Sequence, residues 1–208
     1  MKTRVPQRKL QALRSALMRG DGPVLAVVHN YPDPDALAAA LGLQALFATW
    51  GLRTQLAYGG GLGRAENKAM IGLLDIDLKR FDELDTGRFR GAVLADTQPG
   101  TGNNALPGDV PVLAVFDHHT EGEAVSQVPF HDIRADVGAT STMVLQYLEQ
   151  AEAALEARLA TALFVGIKTD TDGLERDAQE ADVEAYVRLL SDVDFELVNK
   201  ISRPPLTE

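Results

Sequence analysis

Cysteine is absent from this chain of 208 residues, which excludes a disulfide framework, thiolate metal ligands and a cysteine nucleophile. Long hydrophobic runs are absent too, since no apolar stretch approaches the roughly 18 residues that a transmembrane helix needs. The N-terminal segment is positively charged but has neither the apolar stretch nor the small-residue cleavage site of a secretory signal. We therefore expect no membrane partner and a cytoplasmic location.

Basic residues are outnumbered, with 20 lysines and arginines against 30 aspartates and glutamates and a net charge of −10. A protein that grips long nucleic acid by its backbone usually presents a basic face. We therefore expect no grip on long DNA. An anionic ligand would have to be held by a local device, such as a helix N-terminus or a metal ion bound by clustered carboxylates.

The remaining composition, 45% hydrophobic and 24% charged residues, is that of an ordinary globular protein. The length suits about one domain, which we assign to residues 1–200, with 201–208 as a linker or tail. Short apolar runs alternate with helical patterns, which is typical of an α/β fold with a layered parallel sheet and helices on both faces.

The pattern predicts strands over residues 24–29, 53–58, 90–95 and 110–116, and an edge strand over 126–130. Helices are predicted over residues 10–18, 35–50, 64–74, 138–147, 153–165 and 177–190. The last of these helices should begin with a capping box of Asp177 and Glu180, and should carry Val183, Val187 and Leu190 on one face.

Polar side chains follow three of the predicted strands at the point where each strand ends. They include three of the four histidines in the chain, and they are His29, Asp33, Asp35, Asp96, Asp117, His118 and His119. Ligands of an open α/β sheet bind outside the carboxyl ends of its strands, so these clusters should converge in one crevice. A fourth segment, 166–173, follows a predicted helix and could close the site.

Carboxylate and imidazole groups without thiolate suit Mn²⁺, Mg²⁺ or Zn²⁺, and the mixture of oxygen and nitrogen ligands favours Mn²⁺ over Mg²⁺. Five aspartates in one crevice would repel one another strongly without a cation. Two divalent ions about 3.5–4 Å apart, sharing a carboxylate and a hydroxide, form a recurrent site of phosphate-ester hydrolysis.

Several of these residues also have a purely structural explanation. Asp33 before Pro34 suits a helix N-cap, and Asp96 suits a turn after a strand. Asp172 and Gly173 form an ordinary turn dipeptide, so Asp170 is the better candidate for a metal ligand. Adjacent imidazoles at positions 118 and 119 have no packing use, whereas a lone histidine at 131 suits a surface or an edge strand. The hypothesis depends on the conjunction of the clusters.

Four segments in order along the chain resemble the motifs of the DHH phosphoesterases. They are His29-x-x-Pro32-Asp33-x-Asp35-Ala36, Asp96-Thr97, Asp117-His118-His119 and Gly166-Ile167-x-x-Asp170-Thr171. That family includes RecJ-type exonucleases, nano-RNA and phosphoadenosine-phosphate phosphatases, cyclic-di-AMP phosphodiesterases and, more distantly, manganese pyrophosphatases. The resemblance implies a DHH-type catalytic domain with two Mn²⁺ ions as cofactor, Mg²⁺ and Co²⁺ being the alternatives.

The resemblance also implies a role for each matching residue. His29 and Asp33 would hold one metal, Asp35, His118 and Asp170 the other, and Asp96 would bridge them. His119 would contact the scissile phosphate or assist the leaving group, and Asp117 would orient the histidines. Arg64 and Asn67 lie in a segment that resembles a family stretch flanking the cleft, which implies a phosphate or leaving-group contact. A further family-like stretch, Thr140-Ser141-Thr142, is explained more simply as the N-cap of a helix.

The sequence departs from the family pattern at three places. Tyr31 stands where the family often has asparagine, and Ala38-Ala39 stand where a Gly-Ser pair often follows. Many members also carry a smaller C-terminal substrate-binding domain, which would begin where these 208 residues end. We therefore expect either a fragment or a stand-alone catalytic domain, and both cases leave substrate affinity and specificity open.

The function predicted from the resemblance is hydrolysis of phosphodiester or phosphomonoester bonds in small nucleotides or short oligonucleotides, by a hydroxide held between two metals. One alternative is a manganese-dependent inorganic pyrophosphatase or polyphosphatase with the same metal cage. A second is a nucleotide-binding regulatory module with little turnover. A homodimer is left open.

Overall fold

The computed structural model describes residues 5–204. These residues form a six-stranded sheet in which every pair of neighbouring strands is parallel, in the order β3-β2-β1-β4-β5-β6. The strands are β1 (Val24–Val27), β2 (Thr54–Tyr58), β3 (Leu78–Arg80), β4 (Ala92–Ala95), β5 (Val112–Asp117) and β6 (Phe130–Ile133). The predicted parallel sheet is confirmed.

Seven α-helices complete the part of the chain that the structure describes. They are α1 (Gln7–Leu17), α2 (Pro34–Ala48), α3 (Ala65–Leu73), α4 (Thr140–Gln150), α5 (Ala157–Asp170), α6 (Glu180–Leu189) and α7 (Phe195–Ser202). The predicted α/β class is therefore confirmed. Among the described helices, none is long and apolar enough to cross a membrane.

The two faces of the sheet are covered unequally. All seven α-helices contribute side chains to one large core, whereas short 3-10 helices and loops cover a smaller core on the other face. Right-handed crossovers explain this arrangement, because the chain moves one way from β1 to β3 and the opposite way from β4 to β6. The connections after β4 and β5 therefore cross the second face, and they consist of loops and one 3-10 helix, at residues 123–127.

Helix α2 begins as its sequence predicts. The Asp33 carboxylate accepts a hydrogen bond from the Ala36 amide at 3.0 Å, and Pro34 occupies the first helical position. Beyond that turn the helix is rich in alanine and leucine and is buried on nearly every side, because it lies between the sheet and helices α4 and α5. Gly42 lets α4 approach closely, since a Cβ there would lie 2.5 Å from Val144 Cγ1.

The C-terminal third departs most from the sequence prediction. Helix α6 is capped by Gln179 and begins at Glu180, so the predicted capping box at Asp177 is wrong by two positions. Val183, Val187 and Leu190 are exposed, and α6 buries Asp182, Ala185 and Leu189 in their place. The face of α6 predicted to be buried from its apolar spacing is therefore wrong, because the face that packs into the protein carries the buried carboxylate of Asp182.

Other elements were displaced or missed. Residues 123–127 form a 3-10 helix, and the edge strand follows it as β6, so the prediction of a strand over 126–130 is wrong. His131 is exposed on that edge strand, as predicted. Strand β3 and helix α7 were not predicted. The predicted tail begins inside α7, where Ile201 is buried, and its residues 205–208 lie outside the described part.

Candidate metal centre

Eight side chains from five segments converge at the carboxyl edge of the sheet. His29 follows β1, Asp96 follows β4, and Asp117 ends β5 directly before His118 and His119. Asp33 and Asp35 lie at the start of α2, and Asp170 ends α5. Among the described residues, all of these side chains except Asp117 belong to three overlapping groups. Within each group, one potential ligand atom from each residue lies within 4.8 Å of the others.

The first group consists of His29, Asp33 and Asp96. His29 Nε2 lies 3.7 Å from Asp33 Oδ2 and 3.7 Å from Asp96 Oδ2. Asp96 has a φ of +58°, a left-handed conformation that is unfavourable for a residue with a side chain. The strand end is thus held in a costly conformation at the residue predicted to bridge two metals.

The second group consists of Asp35, His118 and Asp170. His118 Nε2 lies 3.0 Å from Asp170 Oδ2 and 3.6 Å from Asp96 Oδ1. Asp96 therefore directs one oxygen toward each group, with Oδ2 facing His29 and Oδ1 facing His118. A third group joins Asp96, His118 and His119, so the division of the ligands that the resemblance implies stays a prediction.

The chemistry of His118 fits a metal ligand. Its Nδ1 lies 3.3 Å from the Val137 carbonyl oxygen, which can only accept, so Nδ1 carries a proton. Its Nε2 is buried and makes no hydrogen bond with any described residue, because the approach to Asp170 has unsuitable geometry. A buried imidazole nitrogen that faces carboxylates suits either a proton or a divalent cation held jointly with them.

The carboxylates of the centre repel one another. Burial, followed by the charge of Asp170, raises the pKa of Asp35 to about 7. Burial, followed by the charges of Asp35 and Asp33, holds the pKa of Asp96 well above its ordinary value. Burial would lower the pKa of His118, but the surrounding carboxylates raise it to about 10. The centre therefore favours extra positive charge, which protons or divalent cations can supply.

The Asp117 carboxylate makes hydrogen bonds to His119, whereas no hydrogen bond of the described structure joins it to the His118 ring. Its Oδ1 accepts hydrogen bonds from the His119 amide at 3.1 Å and from the His119 ring at 2.8 Å, and its Oδ2 accepts one from Gln98 at 2.8 Å. These bonds outweigh burial and lower the pKa of Asp117. The His119 side chain is 62% exposed, so Asp117 orients a ring that faces the open side of the centre.

The start of α4 contributes contacts that the sequence prediction missed. The amides of Thr140 and Ser141 donate to the two oxygens of Asp35, at 2.7 and 2.9 Å, and the Thr140 hydroxyl donates to Asp96 Oδ1 at 2.9 Å. The predicted N-cap by the 140–142 side chains is wrong, because Ala139 holds that position without a side-chain bond in the described structure. Asp35, from another helix, accepts the free amides instead.

The two residues predicted to contact substrate occupy different environments. Arg64 is exposed at the N-cap of α3, so a phosphate contact stays a prediction for it. Asn67 is buried, and its amide donates to the Pro32 carbonyl oxygen at 2.6 Å. This hydrogen bond holds the loop between His29 and Asp33, and the substrate contact of Asn67 stays a prediction.

Gly166 lets α5 approach the centre. A Cβ at this position would collide with Ser141 Oγ and would lie 3.1 Å from both Asp35 Oδ1 and Ala38 Cβ. We expect Gly166→Ala to lower the free energy of unfolding by about 1–2 kcal/mol, since overpacking exceeds the gain in helix propensity. Gly72→Ala, at a helical glycine with no atom within 4 Å of a Cβ, is the matched control and should be stabilising. Urea unfolding would contradict this account if both variants shifted alike.

Comparison with known proteins agrees with this geometry. The model of the DHH family, N-terminal domain, matches residues 23–167, which include five of the six predicted metal ligands. This chain belongs to the DHH family. The predicted resemblance is confirmed, and the curated DHH relatives include proteins named as phosphohydrolases.

Three curated proteins are similar in sequence to this DHH-family chain. An uncharacterized protein of Methanocaldococcus jannaschii, MJ1633, is 35% identical over 97% of this chain and 44% of its own length. A probable manganese-dependent inorganic pyrophosphatase of Enterococcus faecalis is 24% identical over 71% of this chain and 48% of its own length. The cyclic-di-AMP phosphodiesterase GdpP of Geobacillus thermodenitrificans is 27% identical over 97% of this chain and 33% of its own length. The chain thus spans between a third and a half of these relatives.

Solved structures share the DHH fold. An exopolyphosphatase-related protein of Bacteroides fragilis superposes over 100% of this chain and 64% of its own, with a TM-score of 0.81 and 16% identity. The exonuclease RecJ bound to manganese superposes over 95% of this chain and 52% of its own, with a TM-score of 0.50 and 19% identity.

Proposed function

We propose that this DHH domain is a divalent-metal-dependent phosphohydrolase that acts on small nucleotides or short oligonucleotides. The observation that carries the proposal is the pair of ligand groups joined through Asp96, with His118 Nε2 3.0 Å from Asp170 Oδ2 and 3.6 Å from Asp96 Oδ1. Two manganese ions bound there would supply Lewis acidity and a nucleophile from water at neutral pH. The net charge of −10 favours a small substrate over long nucleic acid.

The chain's own residues divide the work in this proposal. His29 and Asp33 hold one cation, Asp35, His118 and Asp170 hold the other, and Asp96 is shared. All six offer the carboxylate or imidazole ligand atoms that manganese accepts; Asp35 and Asp96 are buried, and the other four are half-buried. Val137 fixes the His118 ring through its carbonyl, so that Nε2 stays directed at the carboxylates.

His119 acts on the substrate in this proposal. Its exposed ring is held by Asp117, and that hydrogen bond, together with the nearby charge of Asp96, raises the pKa of His119 despite burial and the neighbouring His118. The raised pKa widens the pH range in which the ring carries its second proton, and in that form His119 can donate a hydrogen bond to a phosphoryl oxygen or a proton to the leaving oxygen. Asp117 is a positioning residue that acts through this ring.

The test is hydrolysis of bis-p-nitrophenyl phosphate by the purified chain, with and without Mn²⁺, followed by the release of p-nitrophenolate. We expect activity that requires the added metal and is abolished by excess EDTA. His119→Ala should lower kcat by about 100-fold, which is the usual scale for one proton donor, while leaving metal binding unchanged. Activity that is indifferent to EDTA would overturn the proposal.

A pyrophosphatase or polyphosphatase is the second candidate, and the relative from Enterococcus faecalis named as a probable manganese-dependent inorganic pyrophosphatase favours it. The discriminating measurement compares kcat/KM on pyrophosphate, tripolyphosphate and a dinucleotide under the same metal. Faster cleavage of the dinucleotide supports our proposal, and faster cleavage of pyrophosphate supports the second candidate. Nucleotide binding without turnover of any of the three would identify a regulatory module.

A further inference from the structure

One short segment, residues 137–142, contacts both ligand groups of the metal centre. The Val137 carbonyl faces the His118 ring, the Thr140 and Ser141 amides bind Asp35, and the Thr140 hydroxyl binds Asp96. None of these segment residues can itself supply a carboxylate or imidazole ligand. The segment therefore sets the orientation of three ligands without holding a metal.

One buried carboxylate, that of Asp182, binds residues 137–142 through hydrogen bonds. Asp182, on α6, is 0% exposed. Its Oδ2 accepts a hydrogen bond from the Gly138 amide at 2.7 Å, and its Oδ1 accepts one from the Thr142 hydroxyl at 2.6 Å. The two oxygens thus hold the segment on both sides of Thr140 and Ser141, and one position after Val137. Charged acceptors make the stronger class of hydrogen bonds, and their loss inside a protein leaves the donors unsatisfied.

Asp182 and residues 137–142 pack so closely that no side chain fits at Gly138. A Cβ on Gly138 would lie 2.9 Å from Asp182 Oδ2, from the Asp177 carbonyl oxygen and from Thr171 Cγ2. Glycine is therefore needed where the segment passes the carboxylate. Thr171 follows the ligand Asp170 directly, so the same close packing also fixes the end of α5.

We propose that Asp182 is a positioning residue for the metal centre, acting through residues 137–142 on His118, Asp35 and Asp96. The proposal rests on the metal-dependent function proposed above. Asp182 also accepts a hydrogen bond from the Gln179 amide at 2.8 Å, which stabilises the start of α6. The experiment must therefore separate positioning from stability.

Three variants of the whole chain make that separation. Asp182→Ala removes all three acceptor contacts. Leu189→Ala, at a fully buried position on the same helix, lowers stability without touching the segment. Asp182→Asn keeps an oxygen for the two amides and turns an NH₂ toward the Thr142 hydroxyl, which can reverse and accept. The readouts are Mn²⁺ affinity, measured by the electron paramagnetic resonance of free Mn²⁺, and the thermal unfolding midpoint.

We expect Asp182→Ala to weaken Mn²⁺ binding by about 10–100-fold, the usual effect of losing a partner that orients a ligand. Leu189→Ala should lower the unfolding midpoint comparably but bind Mn²⁺ within about threefold of the original chain, and Asp182→Asn should restore most of the affinity. If Asp182→Ala does not fold, Thr142→Val carries the test, since it keeps the side-chain shape and removes one of the donors. Unchanged affinity, or an equal loss in Leu189→Ala, overturns the inference.

Hydrogen exchange of the Thr140 and Ser141 amides in the metal-free chain separates this inference from the proposed function. Faster exchange in Asp182→Ala than in Leu189→Ala supports positioning by Asp182, whatever the chain binds. Equal exchange in the two variants overturns it. Absence of Mn²⁺ binding by the unchanged chain would instead overturn the proposed function.

Discussion

Asp96→Asn should lower the metal-dependent hydrolysis rate by about 1000-fold, equivalent to about 4 kcal/mol of transition-state stabilisation. The physical reason is that Asp96 directs Oδ2 toward His29 and Oδ1 toward His118, so one side chain links both ligand groups. Asparagine keeps the shape and can still accept the hydrogen bond of Thr140, but it removes the charge and one acceptor oxygen. The measurement is kcat at saturating Mn²⁺, with circular dichroism as the check on folding.

Asp172→Asn is the matched control for that substitution. Asp172 also has a positive φ, +49°, and it lies two residues beyond Asp170, but it is exposed and outside the three ligand groups. The same chemical change at this position should leave the rate within about twofold. If both variants retained full activity, Asp96 would not be shared between two cations and the proposed centre would be wrong.

The ligand residues were predictable because each lies at the end of a strand or helix with a strong local signal. His29, Asp96 and His118 follow short apolar runs, and parallel strands bring their carboxyl ends to one edge without any further information. The division of ligands into two groups came from the family resemblance, since spacing along the chain does not fix which side chains meet. The structure brings these residues together in three overlapping groups, and which of them share a metal stays a prediction.

The contacts behind the ligands were not predictable in the same way. Asp35 binds the amides of Thr140 and Ser141 across 105 and 106 positions, and Asp182 reaches Gly138 across 44. Such pairs depend on how α2, α4 and α6 pack, and the residue types carry no local signal. The apolar spacing of Val183 and Val187 indicated the opposite face of α6 as the buried one. Spacing of apolar residues carries no information about Asp182, a buried carboxylate that accepts three hydrogen bonds.

A second buried carboxylate, Asp132, joins three elements away from the metal centre. On β6, it accepts hydrogen bonds from Lys9 of α1 at 2.5 Å, from Arg134 at 2.6 and 2.9 Å, and from the Tyr147 hydroxyl of α4 at 2.8 Å. Burial alone would raise the pKa of Asp132, but the hydrogen bond and charge of Arg134, followed by those of Lys9, lower it below the ordinary value. The folded protein therefore favours the ionised form.

Asp132→Ala should lower the free energy of unfolding by about 3–5 kcal/mol at neutral pH, because it leaves the largely buried Arg134 and the buried Tyr147 hydroxyl without their acceptor. Glu149→Ala removes an exposed partner of Arg188 at 3.1 Å and should cost less than about 1 kcal/mol, which makes it the control. Urea unfolding of the three chains gives the comparison. Equal losses in the two variants would show that the Asp132 network contributes no more than a surface pair.

The pH dependence of the same network has a definite sign. A carboxyl group whose pKa is lower in the folded than in the unfolded chain contributes stability that is complete above the unfolded value, here 3.8, and that is lost as pH falls through the folded value. The difference in unfolding free energy between the original chain and Asp132→Asn should therefore be constant from neutral pH down to about pH 5 and shrink below it. Taking the difference cancels the buried carboxylates of the metal centre, whose raised pKa values act in the opposite direction. If this difference in unfolding free energy instead grew as the pH falls, Asp132 would be protonated in the folded protein, and the charge of Arg134 would be balanced by another group.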